Sequence, residues 1–494
     1  MYYLGLDIGS SSIKAALVEI STGKSIGVVQ EPETEMGMLA LKNGWAEQQP
    51  DDWWKHVCAA ILKLKSKFKI SKTQIQGIGI SYQMHGLVLV DKEGKPLRKS
   101  IIWCDSRAVE IGNRAFSDLG EAKCNAHLLN SPANFTASKL KWVKDNEPEL
   151  FERAYKFMLP GDYIAFKFSN VMNTTISGLS EGIFWDFKKD AIAHFLLEHY
   201  GIDQEMVPNI VETFGLQSKV GDKGELESGL SAGTPLLYRA GDQPNNALSL
   251  NVFNPGEVAG TGGTSGVVYA ITESLSVKES SRVNNFAHVN YQKGGAARIG
   301  KLLCINGAGI QYRWLLNNLA VGSYEEMNAL ASEIPIGSGG VCMLPFGNGA
   351  ERMLNNKEVG ARILNINLNN HNKSHLCRAA LEGIAFSFVY GMEILKSDGI
   401  KINVMRVGND NLFRSSIFAN TIATLMKTEI ELYNTTGAIG AARAAGLYNG
   451  DFEKFGSYIM ENDYVMTFKP AIGKESYLKA YENWKQELEG ITNN

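Results

Sequence analysis

Apolar residues at the start of the chain fall into two blocks of strand length, separated by a short gap of glycine and serine. YYLGLDI, GSSS and IKAALVEI read as strand, turn and strand, and GKSIGVVQEPE continues with a third strand, so the chain opens with a hairpin that starts a sheet. From Pro50 the period changes. PDDWWKHVCAAILKLKSKF sets Trp54, Val57, Cys58, Ile61 and Leu62 at helical spacing, behind a Pro and an Asp suited to a helix start. QGIGISYQMHGLVLVDKEGKPL returns to strands around a loop, with DKEGK as a turn, and residues 134–168 read as mostly helical.

The same grammar recurs from residue 256, where GEVAGTGGTSGVVYAIT again reads strand, turn, strand. Helical stretches follow (GIQYRWLLNNLA and SHLCRAALEGIAFSFVYGMEILK), then a strand NVMRV, a helix from Leu412, a strand TEIELY and a small-residue helix GAIGAARAAGLY. Two α/β domains, each opening with a hairpin, account for this better than one long domain. The join is expected near residue 246, giving domains 1–246 and 247–494.

The 494 residues, 44% of them apolar, are enough for two or three ordinary cores. A net charge of -3 supplies no field that favours nucleic acid or an anionic membrane, so small neutral or weakly charged partners are expected. The N-terminus lacks the basic start and apolar core of a signal peptide, and no apolar run approaches bilayer-spanning length, which predicts a cytoplasmic protein. Six cysteines, Cys58, Cys104, Cys124, Cys304, Cys342 and Cys377, show no CxxC spacing and read as reduced thiols.

Chemistry concentrates in the turns. The first holds Gly9, Ser10, Ser11 and Ser12, the second Gly260 to Gly266 with Gly262, Gly263 and Thr264 at its centre. Glycine lets backbone N–H groups converge into an anion-holding nest and hydroxyls add donors, although either turn alone could be a plain chain reversal. Asp7, at the end of the first strand, suits either a turn cap or a carboxylate that holds Mg²⁺ beside phosphates. No GxxxxGK is present, so a Walker-type site is not supported. In AGDQPNNALSL no basic residue falls from Gly241 to Leu250, and Asp242 could be a helix N-cap or a general base. His371 and His375 are four apart but lack a third ligand, which argues against zinc.

Together these segments resemble the FGGY carbohydrate kinases, members of the actin, hexokinase and heat-shock ATPase superfamily. YLGLDIGSSSIKAALVE is similar to the family's first phosphate hairpin. GISYQMHGLVLVDKEGKPLRKSIIWCDSR is similar to the segment that sets its xylulokinases apart, and FTASKLKWVKDNEPELF and SHLCRAALEGIAFSF resemble the two signatures. The resemblance implies two ribonuclease H-like domains with a deep cleft between them, sugar mainly on the first and ATP with Mg²⁺ mainly on the second. It implies Asp242 as the base that takes the sugar hydroxyl's proton, with Asp7 beside the phosphates. Sugar contacts are implied at Gln83, Met84, His85, Trp103, Asp105 and Gln243. Nucleotide contacts are implied at Gly9 to Ser12, Gly262, Gly263, Thr264, Gly307, Gln311, Gly408 and Asn409.

The implied reaction is ATP-dependent phosphorylation of D-xylulose. The alternatives are another ketose, a polyol or a sugar acid (ribulose, fuculose, gluconate or glycerol kinases), and a non-catalytic actin-like sugar-binding protein. Family analogy implies a homodimer. The chain departs from the family pattern at Gln243 (usually Asn), at GTGGTSG (a Leu-Gly-Thr-Ser-Gly form), at Asn365 (a signature glycine) and at RVGNDN, which has one glycine where three are common.

Overall fold

The computed structural model describes residues 1–492. The alternation expected of the opening segments forms β1 (Tyr2–Ile8), β2 (Ile13–Glu19) and β3 (Ser25–Glu31), joined in the first sheet by β4 (Ile75–Tyr82), β5 (Phe214–Lys219) and β6 (Pro235–Gly241). The strand order is β5-β6-β4-β1-β2-β3, with β1, β4 and β6 parallel and the hairpin strands antiparallel. The second sheet holds β7 (Glu257–Gly262), β8 (Gly266–Thr272), β9 (Asn284–Ala287), β10 (Ile299–Ile305), β11 (Val404–Gly408), β12 (Glu429–Tyr433) and β13 (Tyr464–Phe468). Its order is β9-β10-β8-β7-β11-β12-β13. Both sheets therefore share one plan: three antiparallel strands, then two more added parallel to the first. The closing pairs Ile8 with Ile13 and Gly262 with Gly266 put the two glycine turns at equivalent strand ends.

Helix α1 (Pro50–Phe68) covers the first sheet with Trp53, Trp54, Val57, Ala60, Ile61 and Leu64. Leu62, expected on this stripe, is 53% exposed because it falls to one side of it. The helix expected from Leu412 begins later. Asn411–Arg414 is a 3₁₀ turn and Ser415 is extended, so the α-helix runs Ser416–Met426. All six cysteines are free, and no described helix is long and apolar enough to cross a membrane.

The halves meet through two small-residue helices, α2 (Asp242–Ser249) and α3 (Gly437–Ala444). Although α3 comes late in the chain, it lies flat on the first sheet. A Cβ on Gly5 would stand 1.9 Å from Ala438 O, and one on Gly79 would stand 1.9 Å from Ala441 O. A Cβ on Gly440 would meet Ser249 Oγ at 1.7 Å, so the crossing of α2 and α3 also needs glycine. A second seam joins the domains at β9, where Asn285 N–H donates to Asn130 Oδ1 at 2.9 Å and Ala287 N–H to Ser180 Oγ at 2.7 Å.

The clash at Gly5 is with backbone, which cannot yield as a flexible side chain would. Gly5→Val should destabilise the protein by about 1–3 kcal/mol, seen as a lower urea midpoint. A midpoint equal to the parent's would show that α3 does not rest on the sheet in this way.

Candidate active site

The carboxyl ends of the parallel strands, where open α/β sheets place ligands, converge on the hinge. Asp7, one residue before the end of β1, accepts from Ser81 Oγ at 3.0 Å. Its other oxygen faces the start of α3, where a Cβ on Gly437 would lie 2.8 Å away. Asn245 Nδ2 donates to Gly437 O at 3.0 Å and ties α2 to the same place. Burial raises the Asp7 carboxyl above its ordinary range, against the opposing effects of Lys14 and the Ser81 hydroxyl. Asp242 is the first residue of α2, directly after β6. Burial, then the charge of Asp7, push it up to about 7, with hydrogen bonds from Gln243 opposing. Neither carboxylate has an ion pair among the described residues, so both keep their affinity for protons.

The first turn is braced from behind. Gly9 N–H donates to Ser12 O at 3.1 Å, and Gln48 Nε2 to Ser10 O at 2.7 Å. Trp103, 53% exposed, stands over the turn with Nε1 3.3 Å from Ser10 Oγ, leaving its ring face available. Gln83 is buried beside Gln48, with its own Oε1 unpartnered. Met84 packs against Gly241, where a Cβ would meet it at 2.5 Å. Asp105 is fully buried, and both of its oxygens are engaged by Arg107 and by the Ala46 N–H at 2.6 Å. Its place is behind the Trp103 loop, holding the loop's shape.

His85 has a left-handed backbone, φ 61°, uncommon for a residue with a side chain. Its ring lies between Phe135 at 4.8 Å and Phe286, of the second domain, at 5.3 Å. Nδ1 is 2.9 Å from Glu181 O, and a carbonyl can only accept, so Nδ1 carries the proton. Burial, reinforced by Lys139 and Arg352, lowers the ring's pKa to about 3. The ring is neutral at physiological pH, and Nε2 is left as an acceptor for a hydroxyl.

Two buried groups near His85 were not legible as site residues. Lys139 donates to His85 O at 2.8 Å and Ile102 O at 3.0 Å, linking the His85 and Trp103 loops, and burial draws its pKa down to about 7. The Glu181 carboxyl is buried, and burial, with the charges of Asp242 and Asp162 added and the Tyr82 hydroxyl opposing, raises it well above its usual range. Of the two lysines in the helix stretch FTASKLKWV, only Lys139 is buried, and a buried cation must find acceptors.

In the second domain a cavity of about 300 Å³ opens beside the second turn, lined by Gly262, Gly263, Thr264, Gly309, Tyr312, Arg313, Tyr324, Asn411 and Arg414, among others. Backbone approaches closely here: Gly309 N–H donates to Gly263 O at 3.1 Å and Ile310 N–H to Thr264 O at 3.0 Å. Tyr312 and Tyr324 stack at 5.7 Å along one wall. An aromatic wall, two guanidinium groups and a glycine turn suit a flat base carrying phosphates.

The expected contacts Gly307, Gln311, Gly408 and Asn409 do not line this cavity. Gly307 is pressed against Pro345, where a Cβ would meet its carbonyl at 2.0 Å, and Gln311 turns inward to Leu344 O at 3.1 Å. Asn409 pairs with Tyr433 O and Asn434, and the wall is made by Asn411 and Arg414 further on. His371 and His375 use their Nδ1 atoms in local backbone bonds. Among the described residues no group of three or more His, Cys, Asp or Glu could hold a metal by itself.

A doubled sheet plan with a glycine turn at each equivalent strand end, and two unpaired carboxylates where the sheets meet, defines a phosphotransferase of the actin and hexokinase type. The chain belongs to the FGGY family of carbohydrate kinases, whose N-terminal domain matches residues 2–249 and whose C-terminal domain matches residues 258–448. Kinases of this family take ATP as donor. The xylulose kinase of Bacillus subtilis is 28% identical over 461 residues, covering 92% of this chain and 89% of that protein. The L-xylulose/3-keto-L-gulonate kinase of Escherichia coli is 26% identical over 501 residues, covering 99% and 97%. Among solved structures, a xyloylose kinase from Brucella ovis superposes with a TM-score of 0.88 at 26% identity over 100% of both chains.

The electrostatics of His85 and His288, both lowered to about 3 chiefly by burial, fix a direction for pH dependence. The unfolded chain takes up their protons near the ordinary value of 6.5 while the folded protein does not, so stability falls as pH drops from about 6.5 toward 3. Ring nitrogen shifts in ¹⁵N NMR should show both imidazoles neutral at pH 5. A protonated His85 at that pH would contradict the acceptor role of its Nε2.

Proposed function

We propose that the protein phosphorylates D-xylulose to D-xylulose 5-phosphate, with ATP as donor and Asp242 as general base. The observation that carries this reading is Asp242 itself: a carboxylate at the hinge, without an ion pair among the described residues and raised to about 7, at the start of a helix that Asn246 Nδ2 ties to Thr261 Oγ1 of the second hairpin at 3.1 Å. A hydroxyl attacking a phosphoryl group must lose its proton as the bond forms, and a positioned base with a pKa near the working pH contributes about 10² to 10⁴ in rate. His85 Nε2 accepts from a sugar hydroxyl, Trp103 offers its ring face, and Gln243 extends the polar rim beside the base. The similarity to xylulose kinases over most of the chain supports the choice of ketose.

Asp7 suits Mg²⁺ held jointly with substrate phosphates, since that ion takes only a few carboxylates from protein and needs no all-protein cluster. When bound, the ion neutralises phosphate charge. Asp7 and the braced first turn then orient the donor, while Gly262, Gly263 and Thr264 offer backbone and hydroxyl donors on the opposite side.

ADP release with D-xylulose, L-ribulose, L-fuculose, gluconate and glycerol tests the substrate; equal rates across the panel would end the claim for xylulose. Asp242→Asn should lower kcat by about 10² to 10⁴ and leave sugar affinity, measured by calorimetry, nearly unchanged. The rate kcat/KM should fall as pH drops through about 7, because protonation removes the base. An acid limb centred near pH 4 would show that Asp242 is not the group lost.

A further inference from the structure

Beyond strand Cys342–Phe346 the chain forms a loop that docks on the end of β10 through Glu351. Glu351 is fully buried, and its carboxylate accepts from the Asn306 N–H at 2.9 Å and the Gly307 N–H at 2.6 Å. Asn306 Nδ2 returns a bond to Ala350 O at 2.6 Å. Three bonds thus fix the loop and give the next residue, Arg352, a defined position.

Arg352 is partly exposed and has neither an ion pair nor a side-chain hydrogen bond among the described residues, and its Nε is sealed from solvent without a partner. The more deeply placed arginines are matched: Arg107 with Glu47 and Asp105, Arg239 with Asp162, Arg378 with Glu382, Arg443 with Asp463. The strand end that anchors this loop also borders the second glycine turn, since Ile305 pairs with Gly266 and Asn306 O accepts from Ser265 Oγ at 3.4 Å. The charge of Arg352 helps hold the His85 ring neutral from across the domain boundary, and it acts on the Cys304 thiol, which also feels Asp242. A guanidinium keeps its proton even when buried, so the missing element is an anion. Its planar fork matches carboxylate and phosphate oxygens in pairs.

We propose that Arg352 binds an oxyanion in the interdomain cleft, either the phosphoryl group as it passes to the sugar or a carboxylate carried by the sugar itself. The inference rests on the kinase reading for its setting, but anion binding can be measured without turnover. A neutral ketose offers no carboxylate, so the phosphoryl group is the anion if D-xylulose is the substrate. A sugar acid would place its own charge there.

The full chain is titrated with inorganic phosphate, gluconate and D-xylulose by calorimetry and thermal shift, alongside R352Q and R352K. At least one anion should bind the parent and lose about tenfold or more in affinity in R352Q, as expected when one partner of a buried charged hydrogen bond is removed. D-xylulose, as the neutral control, should bind both alike. Loss of phosphate binding together with a fall in kcat of about 10² to 10³ identifies the phosphoryl group. Loss of gluconate binding with phosphate binding unchanged identifies the carboxylate. Anion affinities equal in parent and R352Q overturn the proposal. If R352Q does not fold, R352K, which keeps the charge but loses the fork, supplies the same comparison. A parent that binds phosphate through Arg352 yet releases no ADP with any sugar would sink the kinase substrate reading and leave the anion site standing.

Discussion

The site depends on one steric constraint: α3 must lie directly on the first sheet with nothing between them but backbone. Gly5 and Gly79 supply the missing side chains on the strands, and Gly440 supplies one where α3 meets α2. Because the fit is backbone against backbone, it fixes where α3 begins. Gly437 is then brought against the Asp7 carboxylate, and the bond from Asn245 holds α2, and with it Asp242, in the same corner. A side chain at any of these glycines would push the carboxylates apart before it affected any ligand contact.

That corner explains the raised proton affinity of the pair. Burial raises both carboxyls, and the charge of Asp7 raises Asp242 further; Lys14 offsets part of the effect at Asp7, while neither carboxylate has an ion pair among the described residues. Nearby buried carboxyls are treated differently. Asp162 lies against Arg239, and Asp105 against Arg107, so those groups act as structural anions. Counter-ions are supplied where the chain needs shape, and neither hinge carboxylate has an ion pair among the described residues, which suits the proposed role of a base that can still accept a proton.

The hinge and the turns were legible in the sequence because their residue types are dictated locally. A nest needs glycine and hydroxyls at a strand end, and an aspartate without basic neighbours at a strand-to-helix junction stands out in AGDQP. The cavity beside the second turn is walled by residues a few positions from the expected nucleotide contacts. Along the helix Gly309–Asn318 each step turns the side chain by about 100°, so which face meets the cavity depends on packing that no local pattern fixes. Gln311 went to the core side and Arg313 to the cavity. Asp105 looked like a sugar contact beside Trp103, yet the Arg107 that captures it sits only two positions away. Lys139, Glu181 and Arg352 were silent for a different reason: an isolated charged residue becomes informative only when burial and partners are known, and both are set by distant parts of the chain.

The sugar end shows most clearly that the two domains do not divide the work as a simple pair of lobes. His85 belongs to the first domain, but one side of its ring rests on Phe286 of the second, and its neutrality owes something to Arg352, also of the second. β9, which carries Phe286, is bonded through Asn285 and Ala287 to the first domain. Any relative motion of the domains that disturbed this seam would therefore change the support of His85 along with the width of the cleft. On the proposed reading, gripping the sugar and bringing the second domain into place are mechanically one event, so a substitution at Phe286 belongs with those at the proposed sugar contacts even though its side chain comes from the second half.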